Sequence, residues 1–336
     1  MQRRPLGNSD VMVSPLSFGA GPVPALMTRA DPDASIATVA RAVDQGIHWF
    51  DTAATYGNGE SERTLGHAIA KLGLGSSVNV ATKVRLADED FFDLASAVRS
   101  SLHGSLARLG VPKVSLLQIH NSITPRRGDL PTSITPADVL NRGGLLDAMR
   151  SLQEEGLVDL LGLTGLGDPE SLREVLESRA FATVQIPYHL LNPTAGMDDL
   201  ASFAEENHGN LLDYCRSHDI AGFAIRVFAG GALVGKPPSA HTFKTKFFPL
   251  DLYQRDARRA ERIRLVLPRD MSIAEAAVRF SISHPALSSA IVGFSSPEEV
   301  DAAVGFARKG PLPDKLLGKI RQFWKQDSSL TPRDNG

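Results

Sequence analysis

This 336-residue chain has one cysteine, no long apolar run and no excess of either charge. A single cysteine cannot form an internal disulfide, which favours a reducing compartment. No stretch approaches the ~20 apolar residues of a transmembrane helix, and no apolar segment follows the N-terminal arginines as in a secretory signal. The 36 basic and 38 acidic side chains favour neither nucleic acid nor an anionic membrane as partner. We therefore expect a cytoplasmic protein.

The sequence does contain a regular alternation of short apolar runs and longer segments of helical period. Strand-like runs lie at 16–19, 48–51, 78–83, 113–120, 160–164, 182–187, 220–226 and 289–293. Helical segments lie near 33–45, 62–72, 92–109, 145–155, 169–178, 211–218, 273–284 and 297–306. Two helix starts place a capping side chain before a proline, at Asp168-Pro169 and Ser296-Pro297. Eight such units predict an α/β protein of the closed (β/α)8 TIM-barrel class.

The two ends of the chain fall outside this repeat. Residues 1–15 contain LGNSD between short apolar flanks and predict a hairpin that closes the bottom of the barrel. An additional helix is expected at 313–325, followed by a flexible tail at 326–336. No linker divides the chain, so we expect one domain over residues 1–336.

Two connections are too long to be simple loops. They span 121–144 and 227–272 and follow predicted strands four and seven, at the barrel end where active sites lie. We expect them, with residues 22–27, to form the walls of a substrate pocket. Apolar candidates for these walls, each of which can equally be core or loop packing, are Met27, Phe91, Phe92, Phe247 and Phe248. Arg126 and Arg127 can meet an acidic substrate, although loop arginines are usually only solvated.

Four polar residues lie at or just beyond the C-terminal ends of three successive predicted strands. Asp51 ends HWFD, Lys83 ends VNVATK and His120 ends VSLLQIH. Tyr56 follows Asp51 in DTAATYG. Each residue alone is more simply explained as a turn, packing or solvated strand-end residue. Because these strand ends converge in a barrel, the four together predict one acid–base site.

These residue types suit the reduction of a carbonyl, which needs a hydride and a proton for the developing alkoxide. The Tyr56 hydroxyl can donate that proton, and its phenolate is the base in the oxidative direction. The Lys83 ammonium stabilises the phenolate, while Asp51 keeps this buried cation paired. His120 donates a hydrogen bond to the substrate oxygen and orients the carbonyl.

In these segments the sequence resembles the aldo-keto reductase superfamily. GIHWFDTAATYGNGESERTLGHAI is similar to the family's second-strand motif, VATKV to its lysine strand and LLQIHN to its histidine strand. The run SIAEAAVRFSISHPALSSAIVGFSSPEEVDAAV resembles the last two units, where the adenosine end of the cofactor is held. The likeness covers a core of about 3–308. It implies a barrel that binds NAD(P)(H) without a Rossmann glycine loop, with the four residues in the roles given above.

The resemblance also implies a cofactor groove, with departures from the family pattern. Thr164 and Gly165 stand where the family commonly has Ser-Asn for the nicotinamide carboxamide, and the partner glutamine is kept as Gln185. Ile225 or Arg226 takes the place of the usual aromatic ring that stacks on nicotinamide. The predicted cofactor contacts are Gly19, Ala20, Asp51, Thr164, Gly165, Gln185, Ile225, Arg226, Val227, Phe228, Gly230, Leu233, Gly293, Ser295 and Glu299.

Cofactor choice depends on the segment VGFSSPEEV. Members that prefer NADPH often carry a cation there for the 2′-phosphate, whereas this chain has Glu298 and Glu299. A carboxylate near the ribose favours a 2′-hydroxyl, so we expect NAD(H) in preference to NADP(H). Alternatively, both glutamates only complement a helix dipole, and Arg308, Lys309 or Lys246 reaches a phosphate.

The leading hypothesis is an NAD(P)(H)-dependent oxidoreductase acting on an aldehyde, ketone or sugar lactol. The opening PLG…VSPLSFG and the stretch GLTG resemble the aldose 1-dehydrogenase-like branch of the family. The alternative is a nicotinamide-binding regulatory or sensor subunit with slow turnover. No metal is expected, because the histidines lack a ligand-spaced pair such as HxH. Nothing in the sequence indicates an oligomeric state.

Overall fold

The computed structural model describes residues 1–29, 31–197, 206–240, 242–243 and 250–326. Eight parallel strands close into a barrel in chain order. They are β3 (Leu16–Gly19), β4 (Trp49–Asp51), β5 (Asn79–Val84), β6 (Val114–Ile119), β7 (Val158–Thr164), β8 (Thr183–Pro187), β9 (Ala221–Ile225) and β10 (Leu287–Gly293). The TIM-barrel prediction is confirmed, because each of these strands overlaps the run expected from the sequence.

Helices surround the barrel. They are α1 (Pro32–Asp44), α2 (Glu60–Lys71), α3 (Leu94–Leu109), α4 (Pro136–Leu140), α5 (Leu145–Glu154), α6 (Pro169–Leu176), α7 (Leu211–Ser217), α8 (Leu250–Ile263), α9 (Ile273–Ser281), α10 (Pro297–Arg308) and α11 (Asp314–Gln326). The Asp168 carboxylate caps α6 by accepting the Ser171 N–H, as expected. The expectation that Ser296 caps α10 is wrong, since its side chain makes no capping bond. Instead, the Glu299 carboxylate accepts the N–H of Ser295 at 2.8 Å.

The two long connections contain helices that the sequence analysis did not place. α4 lies within 121–144, and α8 interrupts 227–272. Charged residues dominate the sequence of α8, and its buried face includes Asp256 and Arg259 beside apolar residues.

The N-terminal hairpin closes one end of the barrel. Its strands β1 (Arg4–Pro5) and β2 (Met12–Val13) are antiparallel, and Leu6 packs between them and the barrel interior. Leu6 shares a buried cluster with inward-facing side chains of three barrel strands, those of Trp49, Ala81 and Leu116. The Arg4 guanidinium donates to the first carbonyl of β10 at 2.9 Å. The hairpin prediction is confirmed, and the opposite end of the barrel remains for chemistry.

The predicted C-terminal helix is present as α11. Trp324 donates its indole N–H to the Leu190 carbonyl at 2.9 Å and meets Phe280 edge-on. These contacts fix α11 against the barrel. Residues 327–336 of the expected flexible tail lie outside the described part of the chain. No helix within the described ranges is long and apolar enough to cross a membrane.

Candidate active site

The C-terminal ends of neighbouring strands bring the predicted acid–base residues together. Asp51 ends β4, Lys83 is the penultimate residue of β5, and His120 directly follows β6. Their exposed fractions are only 4%, 1% and 8%. Because burying an ionised group is costly, the partners of each group decide which charge it carries.

Three oxygen atoms surround the Lys83 ammonium. Its Nζ donates to Asp51 Oδ1 at 2.5 Å and to the Thr52 carbonyl at 2.7 Å, and it lies 3.4 Å from the Tyr56 hydroxyl. Burial is the largest single effect and lowers the pKa of Lys83, but the charges of Asp51 and Tyr56 and the hydrogen bonds to both together outweigh it, so the net shift is upward. The lysine therefore stays charged and directs one hydrogen towards the tyrosine oxygen.

The turn between β4 and α2 carries Tyr56. The Ser61 hydroxyl donates to the Ala20 carbonyl at 2.7 Å. Because that hydrogen is used, the Thr52 hydroxyl must be the donor in the 2.7 Å bond between Thr52 and Ser61. Gly57 follows Tyr56 with a left-handed φ of 58°, which a glycine adopts without strain. These contacts hold the turn so that the Tyr56 hydroxyl faces Lys83.

His120 lies against the edge of the Tyr56 ring, with ring centres 5.6 Å apart. Burial, followed by the charges of Lys83 and Arg85, lowers the pKa of His120 well below 6.5, so the ring is neutral. The Thr55 hydroxyl lies 3.4 Å from Nδ1. When Thr55 donates to Nδ1, the hydrogen of the neutral ring lies on Nε2. Nε2 is then the atom that can donate to a substrate oxygen.

Two buried glutamines share the second oxygen of Asp51. Gln118 Nε2 donates to Oδ2 at 3.1 Å, and Gln185 Nε2 donates to the same atom. A carboxylate only accepts hydrogen bonds, so both amides must present nitrogen to Asp51. Gln118 was not among the site residues expected from the sequence. The available signal was strand alternation, because Gln118 lies two residues before His120 and pairs in register with Lys83.

Several predicted cofactor contacts lie at the same end of the barrel. Gly19 and Gly293 pair in register at the ends of β3 and β10, and Thr164 pairs with Gln185 across β7 and β8. The Ala20 N–H donates to the Asp51 carbonyl at 2.8 Å, and Gly165 N–H donates to the Gln185 carbonyl at 2.7 Å. The Thr164 hydroxyl donates to the Ile119 carbonyl at 3.2 Å. Its oxygen therefore remains an acceptor, like the side-chain oxygen of Gln185.

The predicted cofactor contacts that follow Ile225 at the end of β9 lie in a compact turn. Arg226 has a left-handed φ of 60° and pairs with Glu206 at 3.4 Å. Gly230 and Gly231 have φ values of 66° and 100°. Three further candidates pack inwards, with Val227 and Leu233 buried and Phe228 against the core. For Val227 and Leu233, the backbone is therefore the part that can meet a ligand.

Glu299 joins this turn to the start of α10. One carboxylate oxygen accepts the Ser295 N–H, and the other pairs with Lys236, which follows the β9 turn. Arg308 donates to the Gln45 side chain at 2.8 Å. Lys309 pairs with a glutamate of α9 at 2.6 Å. Lys246, the remaining candidate phosphate contact from the sequence, lies outside the described residues.

The predicted apolar wall residues differ widely in exposure. Met27 is buried at 1% and belongs to the core, whereas Phe92 is 94% exposed. The Arg127 guanidinium lies 3.8 Å from the centre of the Phe91 ring. Residues 247–248 lie outside the described ranges.

Two histidines away from Tyr56, His189 and His208, are also buried. Burial lowers the pKa of His189 to about 3 and that of His208 to about 4. Both rings are therefore neutral at ordinary pH. Across the described residues, no group of three or more His, Cys, Asp or Glu side chains is placed to hold a metal ion.

Comparison with known proteins identifies the family. The model of the Aldo/keto reductase family matches residues 15–325. The chain belongs to the aldo-keto reductase family. This aldo-keto reductase is 28% identical to L-galactose dehydrogenase of Arabidopsis thaliana over 341 residues, which cover 98% of this chain and 97% of the relative. The family resemblance found in the sequence is thus confirmed, and the chain is an oxidoreductase.

Two solved structures share the fold of this aldo-keto reductase. Glycerol dehydrogenase from Gluconobacter oxydans has a TM-score of 0.73 and 23% identity, covering 99% of this chain and 98% of that one. An aldo-keto reductase from Klebsiella pneumoniae in complex with NADPH has a TM-score of 0.68 and 20% identity, covering 99% and 100%. Both similarities extend over the whole barrel.

Proposed function

We propose that this aldo-keto reductase transfers a hydride between NAD(P)(H) and a carbonyl or alcohol substrate, with Tyr56 as proton donor and acceptor. The observation that carries the proposal is the buried ion pair of Asp51 and Lys83 facing the half-buried Tyr56, with the neutral His120 beside it. In this group a permanent cation faces a tyrosine hydroxyl, an arrangement suited to stabilising a phenolate.

Each residue has a distinct part in the proposed reaction. A bound nicotinamide supplies or accepts the hydride. The substrate oxygen lies between the Tyr56 hydroxyl and His120 Nε2, which together orient it and stabilise its developing charge. Tyr56 gives its proton to that oxygen, and Lys83 stabilises the phenolate that remains. In oxidation the phenolate takes the proton back, while Asp51 keeps Lys83 charged throughout.

The donor set around Asp51 fits a nicotinamide carboxamide. Thr164 and Gln185 pair in register, and each offers an acceptor oxygen to a carboxamide NH₂ group. The amide of Gln185 cannot rotate without placing its oxygen against the Asp51 carboxylate, so its acceptor is held in place. The glycine-rich turn after β9 suits a close backbone approach by a pyrophosphate. The NADPH complex of the Klebsiella pneumoniae relative supports a nicotinamide cofactor.

NAD(H) is the proposed cofactor in preference to NADP(H). The Glu299 carboxylate stands at the start of α10, where it can accept from a ribose 2′-hydroxyl, and its ion pair engages Lys236, a cation that could otherwise meet a 2′-phosphate. Arg308 and Lys309 are engaged by Gln45 and Glu275. Titrations with NADH and NADPH followed by fluorescence test this preference. Glu299→Arg should shift the ratio of NADPH affinity to NADH affinity at least ~10-fold towards NADPH. The control is Glu298→Arg at the exposed neighbouring position, which should leave the ratio nearly unchanged. Equal shifts in both variants contradict the assignment.

The proposed substrates are aldehydes, ketones and sugar lactols. The relative named L-galactose dehydrogenase, matched over nearly its whole length, supports sugar oxidation as one such activity. A regulatory or sensor subunit with slow turnover is the second candidate, and it would use the same nucleotide site.

The deciding experiment combines nucleotide binding with turnover. We expect turnover on a panel of aldehydes and aldoses that falls by roughly 10²–10⁴-fold in Tyr56→Phe. Nucleotide affinity should be unchanged in that variant, and Tyr214→Phe on α7 serves as the matched control. Binding without turnover in the wild type favours the sensor function, and failure to bind either nucleotide refutes the oxidoreductase assignment for this site.

A further inference from the structure

Gln118 lies inside the barrel, two residues before His120 on β6. It is fully buried and pairs in register with Lys83 of β5. Its amide nitrogen, Nε2, donates to Asp51 Oδ2 at 3.1 Å. Its amide oxygen, Oε1, accepts no hydrogen bond from any of the residues that the structure describes. The protein therefore anchors this amide through its nitrogen, on Asp51.

Packing alone does not explain an amide at this position. The inward-facing residue that precedes Gln118 on β6 is Leu116, and the register neighbour of Gln118 on β7 is Gly162. Neither can form a hydrogen bond to the amide through a side chain. A methionine has nearly the same length and would bury no amide, a group that costs free energy to take out of water. The bond to Asp51 is thus what a glutamine adds here over an apolar residue.

The bond from Gln118 helps to fix the orientation of the Asp51 carboxylate. Gln185 donates to the same Oδ2 from β8, on the opposite side of the barrel. Since two strands hold Oδ2, the other oxygen is left for the Lys83 ammonium. A carboxylate turned out of this orientation would lose an amide bond and move Oδ1 away from Lys83. The same ammonium lies 3.4 Å from the Tyr56 hydroxyl, so its direction depends on Asp51.

We propose that Gln118 is a positioning residue for the proton transfer at Tyr56. By donating to Asp51 Oδ2 it keeps Oδ1 turned towards Lys83, and the ammonium stays directed at the tyrosine hydroxyl. The inference rests on the proposed function, because the direction of this ammonium matters only when Tyr56 gives or takes a proton. Gln118 acts through Asp51 and Lys83 and contacts neither substrate nor nucleotide in this assignment. Its loss should therefore slow the chemical step and leave binding nearly unchanged.

Two substitutions separate the hydrogen bond from the space that the side chain fills. Gln118→Met keeps nearly the same length but has no N–H donor. Gln118→Glu replaces the donor by a carboxyl group, whose pKa burial and the charge of Asp51 should raise. When this group is protonated, it can donate to Asp51 as the amide does, and when it is ionised, it repels the same carboxylate. A side chain that only fills space would not respond to pH in this way.

The measured quantity is the single-turnover rate of nicotinamide oxidation with para-nitrobenzaldehyde, because product release does not limit that rate. The rate of each variant is divided by that of the wild type at the same pH, from about pH 5 to about pH 9. For Gln118→Met the ratio should be lower by about 10-fold at every pH, as expected for one lost bond to a charged group. For Gln118→Glu it should approach one at acidic pH and fall as the carboxyl group ionises.

The comparison with the wild type removes pH effects that all the proteins share. The charged and titratable groups near the site are the same in each, namely Asp51, Tyr56, Lys83, Arg85 and His120. Nucleotide affinity and substrate KM should change less than about threefold in both variants. The control pair is Gln153→Met and Gln153→Glu on α5, where an exposed amide donates to a backbone carbonyl at 2.8 Å, and these should keep the wild-type rate.

Two results overturn the proposal. One is a wild-type rate in Gln118→Met, and the other is a loss in Gln118→Glu as large at pH 5 as at pH 9. If Gln118→Met does not fold, the pH series of Gln118→Glu decides alone. Failure of the proposed function looks different. It is seen in the wild type itself, as absent nucleotide binding or as no Tyr56-dependent turnover with any aldehyde or aldose, and it refutes both assignments.

Discussion

Replacing Asp51 by asparagine removes one charge and leaves the shape of the side chain nearly unchanged. The carboxylate accepts from Lys83 on one oxygen and from Gln118 and Gln185 on the other. Asparagine offers a single acceptor oxygen and an NH₂ group. If its oxygen faces Lys83, its nitrogen faces both glutamines, and each amide must rotate or lose its bond. Rotation of Gln185 also turns its acceptor oxygen away from the proposed carboxamide position.

The size of the effect follows from burial of Lys83, which is 1% exposed. Removing one partner of a buried ion pair costs about 3–5 kcal/mol. An unfolding entropy of ~2.1 cal/mol/K per residue converts that loss into a melting temperature lower by roughly 4–7 °C for a chain of this length. Turnover should fall as well, because the tyrosine loses a fixed cation.

The pH dependence has opposite signs in the two proteins. In the wild type the pKa of Lys83 is raised, so its contribution is fully present below the ordinary value of 10.5 and is lost as pH rises through the folded value. In Asp51→Asn burial is the largest effect that remains on Lys83, and it lowers the pKa. The unfolded lysine then binds the proton more tightly than the folded one. The stability deficit should therefore shrink as pH rises from about 7 to about 10.

Thermal unfolding followed by circular dichroism at the two pH values measures both effects. The double variant Asp51→Asn/Lys83→Met removes the unpaired ammonium and should melt above Asp51→Asn alone. Asp301→Asn, which breaks an exposed pair with Arg41, is the matched control and should shift the melting temperature by about 1 °C or less. A double variant no more stable than Asp51→Asn would refute a charged Lys83.

Three further outcomes can be checked by simple measurements. Between pH 6.5 and 5 the His189 ring gains a proton in the unfolded chain but not in the folded one, so the free energy of unfolding should fall by about 2 kcal/mol because of this residue. Thermal melts of the wild type and of His189→Asn over this pH range test the prediction. The same pH slope in both proteins contradicts it. Burial raises the pKa of the Cys215 thiol to about 12, so a thiol reagent should label the protein only after unfolding, and rapid labelling of the native protein would exclude that. In Gly162→Ala the new Cβ overlaps Thr183 Oγ1, which should cost about 1–3 kcal/mol in a denaturant titration, whereas Gly305→Ala, with open space around it, should not destabilise.

The barrel and the grouping of the four polar residues could be predicted, because both depend on patterns within short stretches of the sequence. Strands that are apolar until a final Asp, Lys or His are unusual, and Asp51, Lys83 and His120 end three such runs in succession. Hydrogen bonds across the barrel join residues that are distant in the sequence, so no short stretch of sequence predicts them. Gln118 reads as one polar residue in an apolar strand, and its bond to Asp51 joins positions 67 residues apart.

Some features were misjudged for a related reason. α8 was not expected because charged residues dominate its sequence, although Tyr253, Ala260 and Ile263 do mark its buried face. For an acidic substrate, Arg126 and Arg127 drew attention because they are adjacent. In the folded chain these two arginines pair with Asp129 and Asp138, which their adjacency in the sequence does not show.

The apolar cluster at the hairpin end and the polar residues at the other end are separated by a single pleat. On three adjacent strands, Trp49, Ala81 and Leu116 each precede by two positions the inward-facing Asp51, Lys83 and Gln118. If a strand shifted by two residues along its neighbour, each side chain would still face the same side of the sheet. The shift would, however, move a charged or amide side chain into the apolar cluster, or the Trp49 indole into the polar one. The polar groups of the proposed site therefore also penalise misaligned barrels, so that a correctly closed sheet and the assembled site arise together.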